Sequence, residues 1–162
     1  MLLLNPDQMF AELPITQLRD CSCLGALSDE AIRFLLTEGE ILQLFAGETL
    51  FELGEPSDYF AVILSGRMNF EKFSDGQLAF TREHQHGEEV GFVGMFALHP
   101  RVGNAIMVQP GILLKIPSDL FHRLYEAYPQ DFTILLMNIT RGLGRGINQI
   151  DQLVHQARQL PG

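Results

Sequence analysis

Short apolar segments separated by glycines fill the middle of the chain. Nine of the 15 glycines lie between Gly47 and Gly111. The segments are ILQLF, ETLFEL, YFAVIL, RMNFEKF, QLAFTRE, EVGFV, NAIMV and ILLKI. Strands of this length with a turn signal every eight to twelve residues or so are typical of an all-β sandwich, jelly roll or small barrel. Asp75-Gly76 and Pro110-Gly111 each separate two such segments and predict hairpins.

Helical periodicity replaces this pattern on both sides. Ser28, followed by two acidic residues, predicts the start of a helix over residues 29–38. A second helix is expected to begin at Pro117 and to stop near Pro129. Over about residues 130–160 the apolar positions recur at spacings of three and four, which predicts one long helix with a heptad-like seam.

The long helix predicts a dimer. At about 30 residues it spans ~45 Å, longer than the core of a domain of this size can cover. Part of its apolar seam is therefore expected to face a second copy of the chain. The seam residues assigned to this interface are Leu136, Ile139, Leu143, Ile147, Ile150, Val154 and Ala157.

Three glycines interrupt the middle of this helix, in the run Arg141-Gly142-Leu143-Gly144-Arg145-Gly146. Together they cost a helix about 3 kcal/mol relative to alanines. The sequence leaves three interpretations open: a kink or hinge, a site where two helices pack closely, or the end of the helix.

Composition and charge narrow the function classes. The 162 residues suit one domain, and 46% hydrophobic against 19% charged residues indicate a folded chain. A net charge of −9 argues against direct DNA binding. No apolar run approaches a membrane span of about 18 residues, and no signal peptide is present, so we expect a cytoplasmic protein. Cys21 and Cys23 are expected to be reduced thiols, without a disulfide or zinc.

Residues 45–67, FAGETLFELGEPSDYFAVILSGR, closely resemble the cyclic-nucleotide-binding domain family, in which F-x-x-G-x-x-L-F-x-x-G opens the barrel. The resemblance continues through residues 87–116 and covers roughly residues 25–155. It implies a mainly β fold, an eight-stranded jelly roll with N-terminal helices and a long C-terminal helix. The single domain of residues 1–162 is expected to divide into a helical part (1–39), a jelly roll (40–117) and two final helices (118–160).

Catabolite activator protein-like relatives share this layout and pair through the long helix. They continue into a helix-turn-helix domain. The present sequence stops about 15 residues after the point where that domain would be joined. The resemblance therefore implies a stand-alone sensor module without a DNA-reading domain.

The family binds its ligand with a phosphate-binding cassette. A short helix offers backbone N–H groups, an arginine neutralises the phosphate, and the glutamate of a Gly-Glu pair accepts the ribose 2′-hydroxyl. Alignment puts Gly91 on the cassette glycine, Phe92 at the glutamate position and Arg101 on the arginine nine residues later. If Gly87-Glu88 were the Gly-Glu pair instead, Arg101 would lie 13 residues after its glutamate.

The cassette is expected to be partly degenerate. The candidate ligand-binding residues are Gly91, Phe92, Val93, Arg101, Val102, Gly103 and Asn104. Phe92 removes a charge-assisted hydrogen bond of roughly 1.5 to 3 kcal/mol, so affinity for a cyclic nucleotide would fall by about ten- to a few hundredfold. Val102 stands where the family prefers a small residue. A cyclic nucleotide or another small anion is the expected ligand, and no further cofactor is implied.

Relatives also place polar side chains on the long helix to bind the base. The corresponding positions here fall near Gly146 and Ile147, which offer none, although Asn148, Arg145 or Arg141 could substitute after a rotation of the helix. The candidate lid and hinge residues are Arg141, Gly142, Gly144, Arg145, Gly146 and Ile147.

Three functional hypotheses follow. The first is a non-catalytic regulatory module with weakened or altered ligand specificity, which signals through its C-terminal helix to an unidentified protein partner. The second is a degenerate module that acts as a dimeric interaction scaffold. The third is a cupin-like metal enzyme that uses His84 and His86 with a following glutamate, although the spacing is shorter than in cupins and the segment also suits a polar loop.

Overall fold

The computed structural model describes residues 1–159, and within them nine strands form two antiparallel sheets. The strands are β1 (Leu2–Leu4), β2 (Glu40–Leu44), β3 (Thr49–Phe51), β4 (Tyr59–Ile63), β5 (Arg67–Ser74), β6 (Gln77–Gln85), β7 (Glu89–Val90), β8 (Asn104–Gln109) and β9 (Gly111–Pro117). One sheet has the order β1-β2-β9-β4-β7 and the other the order β3-β8-β5-β6.

Six helices flank the sheets in the described part of the chain. They are α1 (Pro6–Glu12), α2 (Ile15–Leu18), α3 (Asp29–Glu38), α4 (Phe92–Ala97), α5 (Ser118–Ala127) and α6 (Pro129–Gln159). The side chain of Ser28 caps α3 by accepting from the Ala31 amide, as the sequence predicts. The expected helix end near Leu160 and domain end at residue 162 lie outside the described residues. None of the helices in residues 1–159 is long and apolar enough to cross a membrane.

The two faces of β4 show where the core lies. Phe60 and Val62 pack among the helices, whereas Ala61 and Ile63 pack between the two sheets. All four side chains are fully buried. Because both faces of this strand are covered, its sequence is a continuous apolar run instead of an alternating one.

The predicted fold class is confirmed, with two differences in the strands. β1 is an additional strand that pairs with β2, so the count is nine instead of eight. The segment EVGFV stops being a strand at Val90, because Gly91 adopts φ +87° and turns the chain into α4. Only glycine adopts this conformation without steric cost.

The Asp75-Gly76 hairpin is confirmed, with φ of 52° and 75° at the two residues. The predicted Pro110-Gly111 hairpin is wrong. β8 pairs with β3 and β5, whereas β9 pairs with β2 and β4, so the two residues form a corner between the sheets. At this corner Gly111 approaches the Ser65 carbonyl so closely that a Cβ would clash. Alternation along the two strands is the same for a hairpin and a corner, so periodicity does not distinguish them.

The first half of α6 packs on the protein's own core. Leu135 and Ile139 are fully buried, and the Asn138 amide donates to the carbonyls of Cys23 (3.1 Å) and Gly25 (2.8 Å). Ile139 is therefore wrongly assigned to the dimer seam, since its side chain is already covered within the chain. The helix also continues through all three glycines, so the helix-end interpretation is wrong.

Candidate functional site

A cavity of about 280 Å³ lies between the sheets, the α4 turn and α6. Most of its lining is apolar, and the polar side chains in it are few. The lining residues are Phe51, Phe70, Lys72, Arg82, His84, Glu89, Val90, Gly91, Phe92, Val93, Gly94, Arg101, Val102, Leu143, Gly146, Ile147 and Ile150. Any occupant would therefore touch both the barrel and α6.

Gly91 lines this cavity at the start of α4. Its φ of +87° places it at the N-cap of α4. A Cβ at this position would lie 2.7 Å from Arg101 Nη1 and 3.0 Å from the Phe51 ring. Glycine is thus required here both by the backbone conformation and by the close approach of the guanidinium.

Arg101 is anchored inside the protein. Nη1 donates to the Gly91 carbonyl and Nη2 to the Tyr59 carbonyl, both at 2.7 Å. The guanidinium carbon also lies 4.2 Å from the centre of the Phe51 ring and 4.5 Å from that of Tyr59. Burial lowers the pKa of Arg101, which remains a cation. Its buried Nε has no hydrogen-bond partner among the described residues.

Five of the seven candidate ligand-binding residues line the cavity: Gly91, Phe92, Val93, Arg101 and Val102. Phe92 is only 6% exposed and its ring packs against that of Phe96, with centroids 6.0 Å apart. It lines the cavity without filling it.

Gly103 and Asn104 lie elsewhere. The Asn104 side chain accepts from the Leu53 amide (2.8 Å), and Gly103 makes room for the Glu71 carbonyl. Gly103 precedes β8 and Asn104 begins it, and neither residue lines the cavity.

Four polar residues of the cavity were not predicted as ligand-binding residues, and one of them is Lys72 of β5; the other three are nearer in sequence to the cassette. Arg82 and His84 alternate on β6, and Glu89 lies on β7; we call these three the α6-side cluster. Burial raises the pKa of Glu89 to about 7 and lowers that of His84 to about 4. A sequence feature that could have identified Arg82 and His84 is the presence of ionisable residues at alternate positions of a strand, on the face that meets the core.

The glycines of α6 admit this cluster. A Cβ on Gly142 would collide with Glu89 Oε1, and a Cβ on Gly146 would lie 2.5 Å from Arg82 Nη1. Gly144, between them, faces open space. Within the chain, Gly142 and Gly146 therefore let α6 approach two charged side chains of the barrel, whereas the close-packing interpretation expected a second helix.

The remaining lid and seam residues divide between the cavity and the surface. Arg141 donates to Asn138 Oδ1 (3.0 Å), and Ile147 lines the cavity, as does the half-buried seam residue Leu143. Arg145 is exposed. Four seam residues are between 38% and 57% exposed, Leu136, Ile147, Ile150 and Val154, and of these Ile147 and Ile150 also line the cavity. The side chain of Ala157 lies outside the described part of the chain.

The histidine pair and the cysteines do not form a metal site in the described residues, which contain no group of three His, Cys, Asp or Glu able to hold an ion. His84 faces the cavity, whereas His86 lies beyond the end of β6 with Nδ1 2.7 Å from the Leu64 carbonyl oxygen. The two rings therefore have different neighbours. Cys21 and Cys23 are free and buried.

Comparison with protein families gives a match over the barrel and α5. The model of the cyclic nucleotide-binding domain matches residues 41–128. Lysophospholipase NTE1 of Chaetomium globosum is 30% identical over 101 residues, which are 62% of this chain and 7% of that protein. The chain thus spans less than a tenth of the length of this relative.

Solved structures of the same fold are also similar. A cyclic nucleotide-binding domain from Methylobacillus flagellatus KT superposes with a TM-score of 0.78 at 21% identity, covering 99% of this chain and 90% of that one. The c-di-GMP-responsive global regulator CLP of Xanthomonas campestris gives a TM-score of 0.75 at 17% identity, covering 83% and 66%. At these identities the likeness concerns the fold.

Proposed function

Because the chain belongs to the cyclic nucleotide-binding domain family, we propose that it is a non-catalytic regulatory module that binds a small anionic ligand and signals through α6. One observation carries the proposal: the cavity has the cassette turn on one side and α6 on the other. A ligand there contacts both elements, so binding would change the position of the helix. The glycine run at 142–146 is the proposed hinge.

The expected ligand affinity follows from the cassette. Arg101 supplies a buried positive charge beside the cavity, and its Nε–H is free to donate. Phe92 offers no acceptor for a ribose hydroxyl, which costs roughly 1.5 to 3 kcal/mol of binding. We therefore expect weaker binding than a complete cassette gives, by about ten- to a few hundredfold.

Titration calorimetry with cyclic AMP and cyclic GMP tests this proposal. We expect saturable binding of at least one nucleotide by the wild-type chain. Val93→Trp should abolish it, because residue 93 lines the cavity and a larger side chain would fill it. The matched control is Val108→Trp, since both valines are partly exposed (48% and 41%) but Val108 is on β8 outside the cavity.

Binding that survives Val93→Trp would contradict the proposed site. No binding of either nucleotide at millimolar concentration would contradict the sensing of cyclic nucleotides and would leave either a sensor of another molecule or a scaffold. The second candidate function, a dimeric interaction scaffold, is supported by the loss of the ribose acceptor at Phe92.

We further propose that the module is a homodimer through the exposed seam of α6. Leu136, Ile147, Ile150 and Val154 recur along one side of the helix. Val154→Glu would place two carboxylates in a symmetric interface, so we expect the dimer dissociation constant to rise at least about tenfold. Sedimentation equilibrium measures it, with Asn148→Glu on the polar side of α6 as the control. The proposal would be contradicted if the wild-type chain were monomeric at about 100 µM. A dimer dissociation constant of that size corresponds to a binding free energy of roughly −5.5 kcal/mol.

A further inference from the structure

The α6-side cluster carries buried polar atoms without partners. His84 is 6% exposed and Glu89 is 4% exposed. Arg82 Nε, His84 Nδ1 and Glu89 Oε2 are buried and have no hydrogen-bond partner among the described residues. Buried polar atoms are nearly always bonded in folded proteins, so three exceptions in one cluster indicate a place where a ligand supplies the partners.

The opposite end of the cavity is different. There the Arg101 guanidinium already donates to the carbonyls of Gly91 and Tyr59, and Phe92 presents an apolar ring. Of the four unpartnered buried atoms along the cavity, Arg101 Nε is therefore the one at this end, and the other three belong to the α6-side cluster. The part of a ligand that is recognised by directional hydrogen bonds belongs beside that cluster.

We propose that Arg82 and Glu89 recognise a ring lactam, a carbonyl group next to a ring N–H, as on the edge of guanine or hypoxanthine. The inference rests on the proposed sensor function and names its ligand class. The ring N–H would donate to Glu89 Oε2, and the carbonyl would accept from Arg82 Nε. A charged acceptor and a charged donor together match this pair of groups.

The cavity walls suit a flat ring. Phe70 and Val90 of the barrel and Leu143 and Ile147 of α6 supply apolar surface on opposite sides. An adenine ring would enter the same space with its polarity reversed. Its exocyclic amino group would meet Arg82 with a donor facing a donor, and its unprotonated ring nitrogen would meet Glu89 with an acceptor facing an acceptor. The cluster should therefore reject adenine.

Ionisation of Glu89 makes the pH dependence of ligand affinity a second test of the inference. The carboxylate is faced by Arg82, by the adjacent Glu88, by Arg145 of α6 and by the buried Cys23, and burial raises its pKa to about 7. His84, on β6 of the other sheet, stays neutral above a pKa of about 4. A ring N–H binds the ionised carboxylate, so affinity for a lactam should fall as the pH drops below about 7.

The test is calorimetric titration of the full chain at pH 8 with cyclic GMP and cyclic IMP, which carry the lactam, and with cyclic AMP, which does not. We expect the two lactam nucleotides to bind about tenfold or more tightly than cyclic AMP. The preference should disappear in Glu89→Gln and persist in Glu83→Gln, a control on an exposed residue of β6. At pH 6 the lactam nucleotides should lose affinity while cyclic AMP does not.

The outcomes separate the inference from the function on which it rests. Equal binding of all three nucleotides, or a preference that survives Glu89→Gln, overturns the inference and leaves the sensor function standing. No binding of any nucleotide overturns both the inference and the sensing of cyclic nucleotides. If Glu89→Gln does not fold, Arg82→Gln takes its place, since the Arg82 side chain is partly exposed and should be replaceable.

Discussion

Arg101→Ala is expected to lower the free energy of unfolding by about 3 to 4 kcal/mol. The side chain is 3% exposed and donates to two carbonyls, those of Gly91 and Tyr59. Removal leaves both oxygens without these donors and also ends the contacts of the cation with the Phe51 and Tyr59 rings. Urea denaturation monitored by circular dichroism measures the change.

Arg67→Ala is the matched control for this effect. Arg67 is on β5, and its guanidinium makes an exposed ion pair with Glu83 at 3.3 Å. Such pairs contribute little, so the control should change stability by less than about 1 kcal/mol. If Arg101→Ala is no more destabilising than the control, the anchoring role of Arg101 is refuted.

The structural role of Arg101 also affects how binding experiments are interpreted. From the sequence, Arg101 is an anion receptor, and loss of binding in Arg101→Ala would indicate that role. In the fold it also holds the Gly91 turn to the Tyr59 strand, so the same variant disturbs the cavity wall itself. Filling the cavity at Val93 tests ligand binding without removing these bonds.

The periodicity of apolar residues along the sequence was sufficient to predict most of the strands and helices. The sheets and helices α3, α5 and α6 follow from alternation, caps and three-and-four spacing. Two of the failures share one physical origin, since they depend on which distant strand each element meets. The Pro110-Gly111 corner and the pairing of β1 with β2 are decided by sheet assignment, which local sequence does not contain.

The candidate site was predicted in part for a similar reason. A linear motif located Gly91, Phe92 and Arg101, because the cassette is contiguous in sequence and includes its own turn. Glu89 and Arg82 were missed because their role depends on the approach of α6, more than 50 residues further along the chain. The sequence shows the two glycines of α6, Gly142 and Gly146, but it does not show which side chains these glycines face in the fold.

Gly142→Ala and Gly144→Ala should change stability in opposite directions. In an exposed helix interior alanine is more favourable than glycine by up to about 1 kcal/mol, and Gly144 has open space around its Cβ position. Gly144→Ala should therefore stabilise the protein by about 0.5 to 1 kcal/mol. At Gly142 the new methyl would meet the buried Glu89 carboxylate, so this carboxylate would have to turn away from α6. We expect Gly142→Ala to destabilise by about 1 to 2 kcal/mol, a typical cost of overpacking.

A double-mutant cycle with Glu89→Ala isolates the contact between α6 and the barrel. Removing the carboxylate opens the space that the methyl of Gly142→Ala would need. In that background Gly142→Ala should stabilise by about 0.5 to 1 kcal/mol, as Gly144→Ala does in the wild type, giving a coupling energy of about 2 kcal/mol. Equal stabilisation by both glycine substitutions in the wild-type chain would mean that Glu89 does not restrict α6. The opposite signs would mean that a single carboxylate couples the cavity wall to the helix, which is the connection that a ligand-driven movement of α6 requires.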